Sequence, residues 1–373
     1  MGLTYYHEDA DGRWQFVKSF AASQLMVHGA KLMIEKRRPN YDEFSSSNNP
    51  PNSFPSGHTS AAFGGASFIY SRYGAQWGLP AYAMAAFTGY SWVYAEKHYW
   101  DDVIAGASIA TLSSLYFVNS VNDDIAFLPC SDGLGVNIVM SSAVFDSRSS
   151  QEKKRYNTDF EGKYYFEFYP SISHFTSNDF AGGGTGIDYK HAENEIMTSA
   201  VRWSYQADSL NHLSFFWHPY EIRALGEVSG EQYHSRFMAN DFRVSWLHHL
   251  PLTYRFPGKM GVSLVAQYTE AEIYKSPTSR STQADKSEWF FYPMISGSLE
   301  YQFGNGIGLT ASGSWGKNSK GKIRDASMEV NYRFDPRWDV GAGYNWYERD
   351  QPDSSSFRHI EFDNYYVKAG YRF

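Results

Sequence analysis

One cysteine, Cys130, stands in the whole chain, so an intrachain disulfide is excluded, as is any zinc site built on paired thiolates. Positive charge is also in short supply. The 33 Lys and Arg against 40 Asp and Glu leave a formal charge of −7, which excludes nucleic acid as a partner, because a phosphate backbone demands a basic face. Long apolar runs are missing too: the best, Val103 to Val118, falls short of the about 20 residues a helix needs to cross a bilayer, and reads as a buried core helix. The opening MGLTYYHEDADGRWQF lacks the basic start and continuous apolar stretch of a secretory leader. Since the later part of the chain asks for export, a natural start upstream of Met1 is expected.

Aromatic residues are plentiful. They make up 18% of 373 residues, while mean hydropathy is negative. That pairing suits a barrel in lipid, whose strands alternate an apolar outer residue with a polar inner one and carry Tyr and Trp at the interfaces. Composition divides the chain. The first third is rich in Ala, Met and Leu, and the rest in Tyr, Trp, Phe, Gly, Ser and Asn.

Helical spacing of Trp14, Phe16, Val17, Phe20, Leu25, Met26 and Met33 predicts a helix from about Gly12 to Lys36, ended by Pro39. The stretch SSSNNPPNSFPSGH forbids regular structure until Thr59. Further helices are predicted over Thr59 to Tyr73, Leu79 to Glu96 and Asp102 to Asn119, the last capped by Asp101 or Asp102. From Gly135 the period becomes two. Met328, Val330, Tyr332 and Phe334 oppose Glu329, Asn331 and Arg333; Phe242, Val244 and Trp246 oppose Asp241, Arg243 and Ser245. Such segments start near 135, 161, 183, 196, 212, 233, 258, 288, 306, 323, 338 and 359, so an antiparallel transmembrane β-barrel of about 12 strands is expected. The terminal YYVKAGYRF puts Tyr365, Val367, Tyr371 and Phe373 on one parity, as bacterial outer-membrane barrels do at the end that their assembly machinery reads. The alternative all-β reading is a soluble sandwich, whose inner faces would be apolar rather than lined with Arg, Glu and Asn. The expected fold is therefore an α + β multidomain chain, with a helical domain over 1–120, a connection over 121–134 and a barrel over 135–373.

Three pieces of the helical third carry chemistry. Lys31 and Arg38, with six residues between them and Pro39 following, place two cations at a helix end; Pro55-Ser56-Gly57-His58 makes a turn that opens a helix; His98 precedes Asp102 by one helical turn. Singly, each has a plainer reading: a solvated helix end, a turn with its cap, and a surface pair or two ligands of a metal site lacking further partners. Together they form a phosphate site. Lys31 and Arg38 supply charge-assisted donors, Ser56 and Gly57 sit where a helix N-terminus welcomes an anion, His98 can attack phosphorus with Asp102 fixing its tautomer, and His58 can protonate the leaving alcohol.

In this ordered combination the first third, about residues 12 to 120, resembles the type 2 phosphatidic acid phosphatase superfamily, which shares its site with bacterial non-specific acid phosphatases and vanadium haloperoxidases. The resemblance implies that Lys31, Arg38, Ser56 and Gly57 bind phosphate, that His98 is the nucleophile, that His58 is the acid and Asp102 the support, with neither metal nor cofactor. One departure stands out. Where the family has Ser-Arg six residues before the nucleophile, this chain reads Ser91-Trp92, with Lys97 nearby.

The function expected is a metal-independent phosphatase tethered to the outer membrane of a Gram-negative bacterium, its helical domain in the periplasm. Its substrates would be phosphate monoesters or lipid-linked phosphates: lipid A, phosphatidate or phosphatidylglycerol phosphate, or polyprenyl diphosphate. Outer-membrane lipids and the barrel assembly machinery are its expected partners. The competing expectation is a transport or structural barrel whose helical segment is no longer catalytic, and Trp92 is its support. A haloperoxidase would need vanadate and finds no argument in the residues. A hydrolase site within the barrel, around Ser245, His248 and His249, has no nucleophile motif, so these residues read as lumen and loop polar groups.

Overall fold

The computed structural model describes residues 2–39, 52–119, 125–129, 136–140, 163–180, 188–192, 195–253, 256–274, 282–304, 306–354 and 357–373. They divide into two units, parted near residue 160.

The first unit is helical: α1 (Gly2–Tyr6), α2 (Ala10–Met33), α3 (Gly57–Tyr73), α4 (Ala75–Tyr94) and α5 (Trp100–Phe117). Asp9 caps α2 by accepting from the Gly12 amide at 2.8 Å. The same carboxylate pairs with Arg72 at 2.7 Å and accepts from the Tyr73 hydroxyl at 2.9 Å, tying the start of α2 to the end of α3. Arg72 thereby holds Asp9 well below the usual carboxylate range. Each predicted helix is present with shifted ends. α2 stops at Met33 rather than running to Lys36, because Ile34 is extended and the chain beyond pairs with the next loop, the Ser53 amide donating to the Lys36 carbonyl at 2.9 Å. α5 begins at Trp100 with Tyr99 as its N-cap, and Asp102 caps it from inside the first turn by accepting from the Tyr99 amide at 3.0 Å.

α4 turns small residues inward (Ala75, Gly78, Ala85 and Gly89) and large apolar ones outward (Trp77, Leu79, Met84, Phe87 and Tyr94, 48–79% exposed). Gly89 is needed there: a Cβ would lie 2.8 Å from Val103 Cγ1 on α5. α2 repeats the pattern, burying Ser19, Ser23 and Val27 while exposing Trp14, Leu25 and Leu32. No described helix is long and apolar enough to cross a membrane.

β1 (Ile125–Pro129) and β2 (Val136–Met140) pair only with each other, antiparallel. The larger sheet contains β3 (Tyr164–Phe180), β4 (Asp188–Ala192), β5 (Glu195–Gln206), β6 (Asn211–Val228), β7 (Glu231–Thr253), β8 (Phe256–Tyr274), β9 (Thr282–Gly304), β10 (Ile307–Lys317), β11 (Lys322–Arg333), β12 (Trp338–Asp350) and β13 (Phe357–Arg372). β13 pairs with β3, and β6 pairs with both β5 and β7, so the sheet closes on itself as a barrel of ten strands, not twelve. Two expected strands are lost for separate reasons. The segment near 135 is β2, outside the barrel, and those near 183 and 196 are β4 and β5, which follow one another along the same side of β6 as one interrupted strand. The loop expected over Lys275 to Lys286 is shorter, since β9 has begun by Thr282, and its remainder lies outside the described residues.

Closure excludes the sandwich. Met328, Val330 and Tyr332 point outward and half-exposed while Glu329 and Asn331 face the lumen; Val244 and Trp246 oppose Arg243 and Ser245 in the same way. At the C-terminus Tyr365, Val367 and Phe373 are outward, and Tyr371 is covered between Trp338 and Phe373. The lumen differs from expectation in one respect: it is open over only part of its length. At the end away from the start of β3, Ile222, Phe237, Tyr292, Ile323, Ile360 and Phe362 fill it as a plug that encloses the buried Arg349 and Gln267. Toward the end where β3 begins and β13 ends lies a polar cavity of about 610 Å³.

Candidate functional site

The helical unit brings its three motifs together. Lys31, in the last turn of α2, donates to the Asn52 carbonyl at 2.6 Å, and its Cε lies 3.9 Å from where a Gly57 side chain would begin. Burial lowers the Lys31 ammonium to about 8, with Asp102 pulling the other way and Arg38 adding to the fall. Arg38 reaches the same loop, donating to Asn52 Oδ1 from Nη2 at 3.1 Å and from Nε at 3.3 Å. The two cations thus flank one turn.

That turn is fastened to α5. The Ser56 amide donates to the Asp102 carbonyl at 2.9 Å, and the Ser56 carbonyl occupies the space a side chain at Gly106 would need, only 2.4 Å from its Cβ position. Ser56 itself is fully buried and caps α3, its hydroxyl bonded to Thr59 Oγ1 at 2.9 Å. The expected role of that hydroxyl as a phosphate donor is therefore not supported by its position. Gly57 forms the edge of the seat, and His58, the next residue, is exposed.

His98 is buried, with Nδ1 3.4 Å from Asp102 Oδ2. Asp102 is the hub: it accepts from Ser53 Oγ at 2.5 Å and from the Tyr99 amide, and its other oxygen is 3.0 Å from Lys36 Nζ. Lys36 also pairs with Asp101 at 2.5 Å. Burial alone would neutralise all three groups. Instead the two carboxylates hold Lys36 above its ordinary value, and Lys36, His98 and Ser53 hold Asp102 well below its own. Asp101, with fewer partners, is pushed up by burial.

Trp92, in place of the family's arginine, joins the two imidazoles. Its indole stacks on His58 at 4.4 Å between centroids and 24° between planes, and meets the His98 ring edge-on at 5.9 Å and 70°. His98, Asp102, His58, Lys31, Arg38 and Gly57 are therefore linked in one neighbourhood through Asn52, Ser53 and Trp92.

Lys36, Asn52, Ser53 and Asp101 were not expected in the site. A weak signal existed: two adjacent Asp residues opening an apolar helix need a buried cation, and the Lys36-Arg37-Arg38 run offers one. Which of the three supplies it was not legible.

Residues 12–126 match the model of the PAP2 superfamily and form a domain of that superfamily. Lipid A 1-phosphatase of Porphyromonas gingivalis is 32% identical over 90 residues, 23% of this chain and 19% of that protein, so the chain spans about a fifth of the curated relative it matches. For the barrel, Ail, the attachment invasion locus protein of Yersinia pestis, is similar over 57% of this chain and 99% of its own, with 13% identity and a TM-score of 0.27. OprG of Pseudomonas aeruginosa is similar over 57% and 97%, with 8% identity and a TM-score of 0.30. The ten-strand closure rests on the hydrogen-bond ladder itself.

Proposed function

We propose that the PAP2-superfamily domain of this chain hydrolyses phosphate monoesters or lipid-linked phosphates through a phosphohistidine at His98, without a metal, and that the barrel tethers it to the outer membrane with the domain in the periplasm. The observation that carries this reading is the Asp102–His98 pair joined through Trp92 to His58. Asp102 accepts the Nδ1 proton, so Nε2 keeps its lone pair for phosphorus. Attack forms the Nε2–P bond and breaks the bond to the ester oxygen, which takes a proton from His58. His58 then removes a proton from water, whose oxygen attacks phosphorus and frees the His98 ring and inorganic phosphate. Lys31, Arg38 and the Gly57 amide bind the phosphoryl oxygens throughout.

Two features favour a lipid substrate. The outward faces of α2 and α4 are apolar, which suits a domain working against acyl chains, and the barrel exterior shows Trp203, Trp246, Trp289 and Trp315 half-exposed, as a lipid-facing wall would. Lipid A is the substrate class of the similar Porphyromonas gingivalis phosphatase by its name; phosphatidate, phosphatidylglycerol phosphate and polyprenyl diphosphate are the other candidates.

The full chain in detergent should release phosphate from lipid A or phosphatidate without added metal, be inhibited by vanadate, and give an acid-labile phosphoenzyme. His98→Ala should abolish both turnover and labelling; a fully active variant would reject the nucleophile. Trp92 favours a second reading, a barrel with a non-catalytic domain. It predicts phosphate release indistinguishable between the wild type and a Lys31→Ala, His58→Ala double variant.

A further inference from the structure

Charge pairing in the polar half of the barrel lumen is uneven. Arg202 has Glu167 at 3.5 Å, Arg243 has Asp325 at 2.6 Å, Lys368 has Glu329 at 2.5 Å and Arg372 has Asp339 at 3.2 Å. Three side chains on β6, β7 and β8 break this rule. His212, His249 and Lys259 line the same cavity, and among the described residues none of their side chains makes an ion pair or a hydrogen bond. Glu300, in the neighbouring wall, accepts from Gln302 and acts on Lys259 only from beyond ion-pair distance.

The three side chains form one arc. His249 stands directly opposite Lys259 in the β7–β8 ladder, and the His212 and His249 rings are 6.2 Å apart. His212 Nδ1 is fully buried without a partner. A buried orphan nitrogen costs desolvation energy, and the Lys259 ammonium has no carboxylate within ion-pair distance among the described residues. A bound oxyanion answers both. Access is one-sided, because the far end of the lumen is filled by Phe237, Tyr292 and Phe362, while the arc lies near the end where β3 begins.

We propose that His212, His249 and Lys259 form a seat for a phosphate-type oxyanion at the open end of the barrel. Two imidazoles and an ammonium match the several oxygens of one phosphoryl group, and charge-assisted bonds of this kind are the strong ones. The seat takes either free phosphate or the phosphate of a lipid headgroup. It does not depend on catalysis by the helical domain.

The test uses the full chain in detergent micelles carrying Lys31→Ala and Arg38→Ala, which removes the two charged anion donors of the helical domain. Inorganic phosphate is titrated by calorimetry, and vesicles of phosphatidylcholine with or without phosphatidate are compared by co-flotation. Binding should persist in this background and weaken about tenfold or more when Lys259→Gln is added, as expected for the loss of a charge-assisted bond. His249→Gln should act the same way and serves if Lys259→Gln fails to fold, which heat-modifiable electrophoretic mobility reports. Phosphatidate binding without free-phosphate binding identifies the source as the headgroup. Failure of both probes in the background, or affinities unmoved by both substitutions, overturns the seat and leaves the phosphatase reading untouched.

Discussion

Each unit of this chain buries a lysine among carboxylates, and the two clusters are built to opposite ends. In the barrel, Lys368 lies among Glu167, Glu329 and Asp339, and the guanidiniums of Arg202 and Arg372 complete it: three negative groups, three positive. In the helical unit Lys36 pairs with both Asp101 and Asp102, and Lys31 acts on Asp102 from farther off. There the two carboxyls part: burial pushes Asp101 up, while Lys36, His98 and Ser53 hold Asp102 down. The barrel cluster fastens a fold. The helical one sets a carboxylate beside a histidine, whose ring becomes positive when bonded to phosphorus.

The sharpest way to break this contrast is to remove the Asp102 charge. Asp102→Asn keeps an acceptor for Ser53 Oγ and the Tyr99 amide but no longer stabilises a cationic His98, and phosphate release should fall about 10²–10⁴-fold with the helical content unchanged. Activity within a few-fold of wild type would show that the charge does not serve the histidine.

The next test exchanges the lysines. Lys36→Met strands two adjacent buried carboxylates without a cation, which should cost about 3–5 kcal/mol in denaturant unfolding of the helical unit followed by circular dichroism. Lys368→Met leaves Arg202 and Arg372 in place, so the barrel should lose less, read from electrophoretic mobility in urea. Equal losses would mean that pairing counts alone do not separate the clusters.

The phosphate-site residues were easier to foresee than the Lys36 cluster behind them. Lys31, Arg38, His58, His98 and Asp102 stand at fixed spacings and bind a ligand, so their types are constrained by chemistry that can be read from residues alone. Lys36, Asn52 and Ser53 act through tertiary contacts across a loop, and no periodicity marks them. In the barrel, inward and outward residues were legible from the two-residue period. Which strand pairs with which was not, because β2 alternates no worse than its neighbours and β4 and β5 look like two strands until both are seen along β6. The plug was illegible for a related reason: Tyr220, Phe237, Tyr292 and Phe362 suit a lipid-facing row as well as a lumen, and parity had to be counted from closure.

A smaller effect concerns Lys31. Its folded value of about 8 lies below the ordinary lysine value, so the fold favours the neutral amine and gains stability as pH rises from about 8 toward 10.5, where only the unfolded chain still holds the proton. Phosphate binding runs the other way, needing the ammonium. kcat/KM should therefore show an alkaline limb centred near 8, and Lys31→Arg should move that limb to higher pH. An unchanged limb would assign it to another group.

The mildest test is at Trp92, where the chain departs from its family. Trp92→Arg restores a phosphate donor and removes the surface on which His58 stacks, so the two consequences oppose each other. KM should fall as the guanidinium adds a charge-assisted bond, while kcat should fall about 2–5-fold, the worth of an exposed cation–π contact to a protonated His58. Trp92→Phe keeps an aromatic face and should preserve kcat. If the arginine variant changes neither constant, Trp92 only fills space between the imidazoles. If it raises kcat instead, the indole hinders the acid it covers, and the site is a phosphatase slowed by its tryptophan.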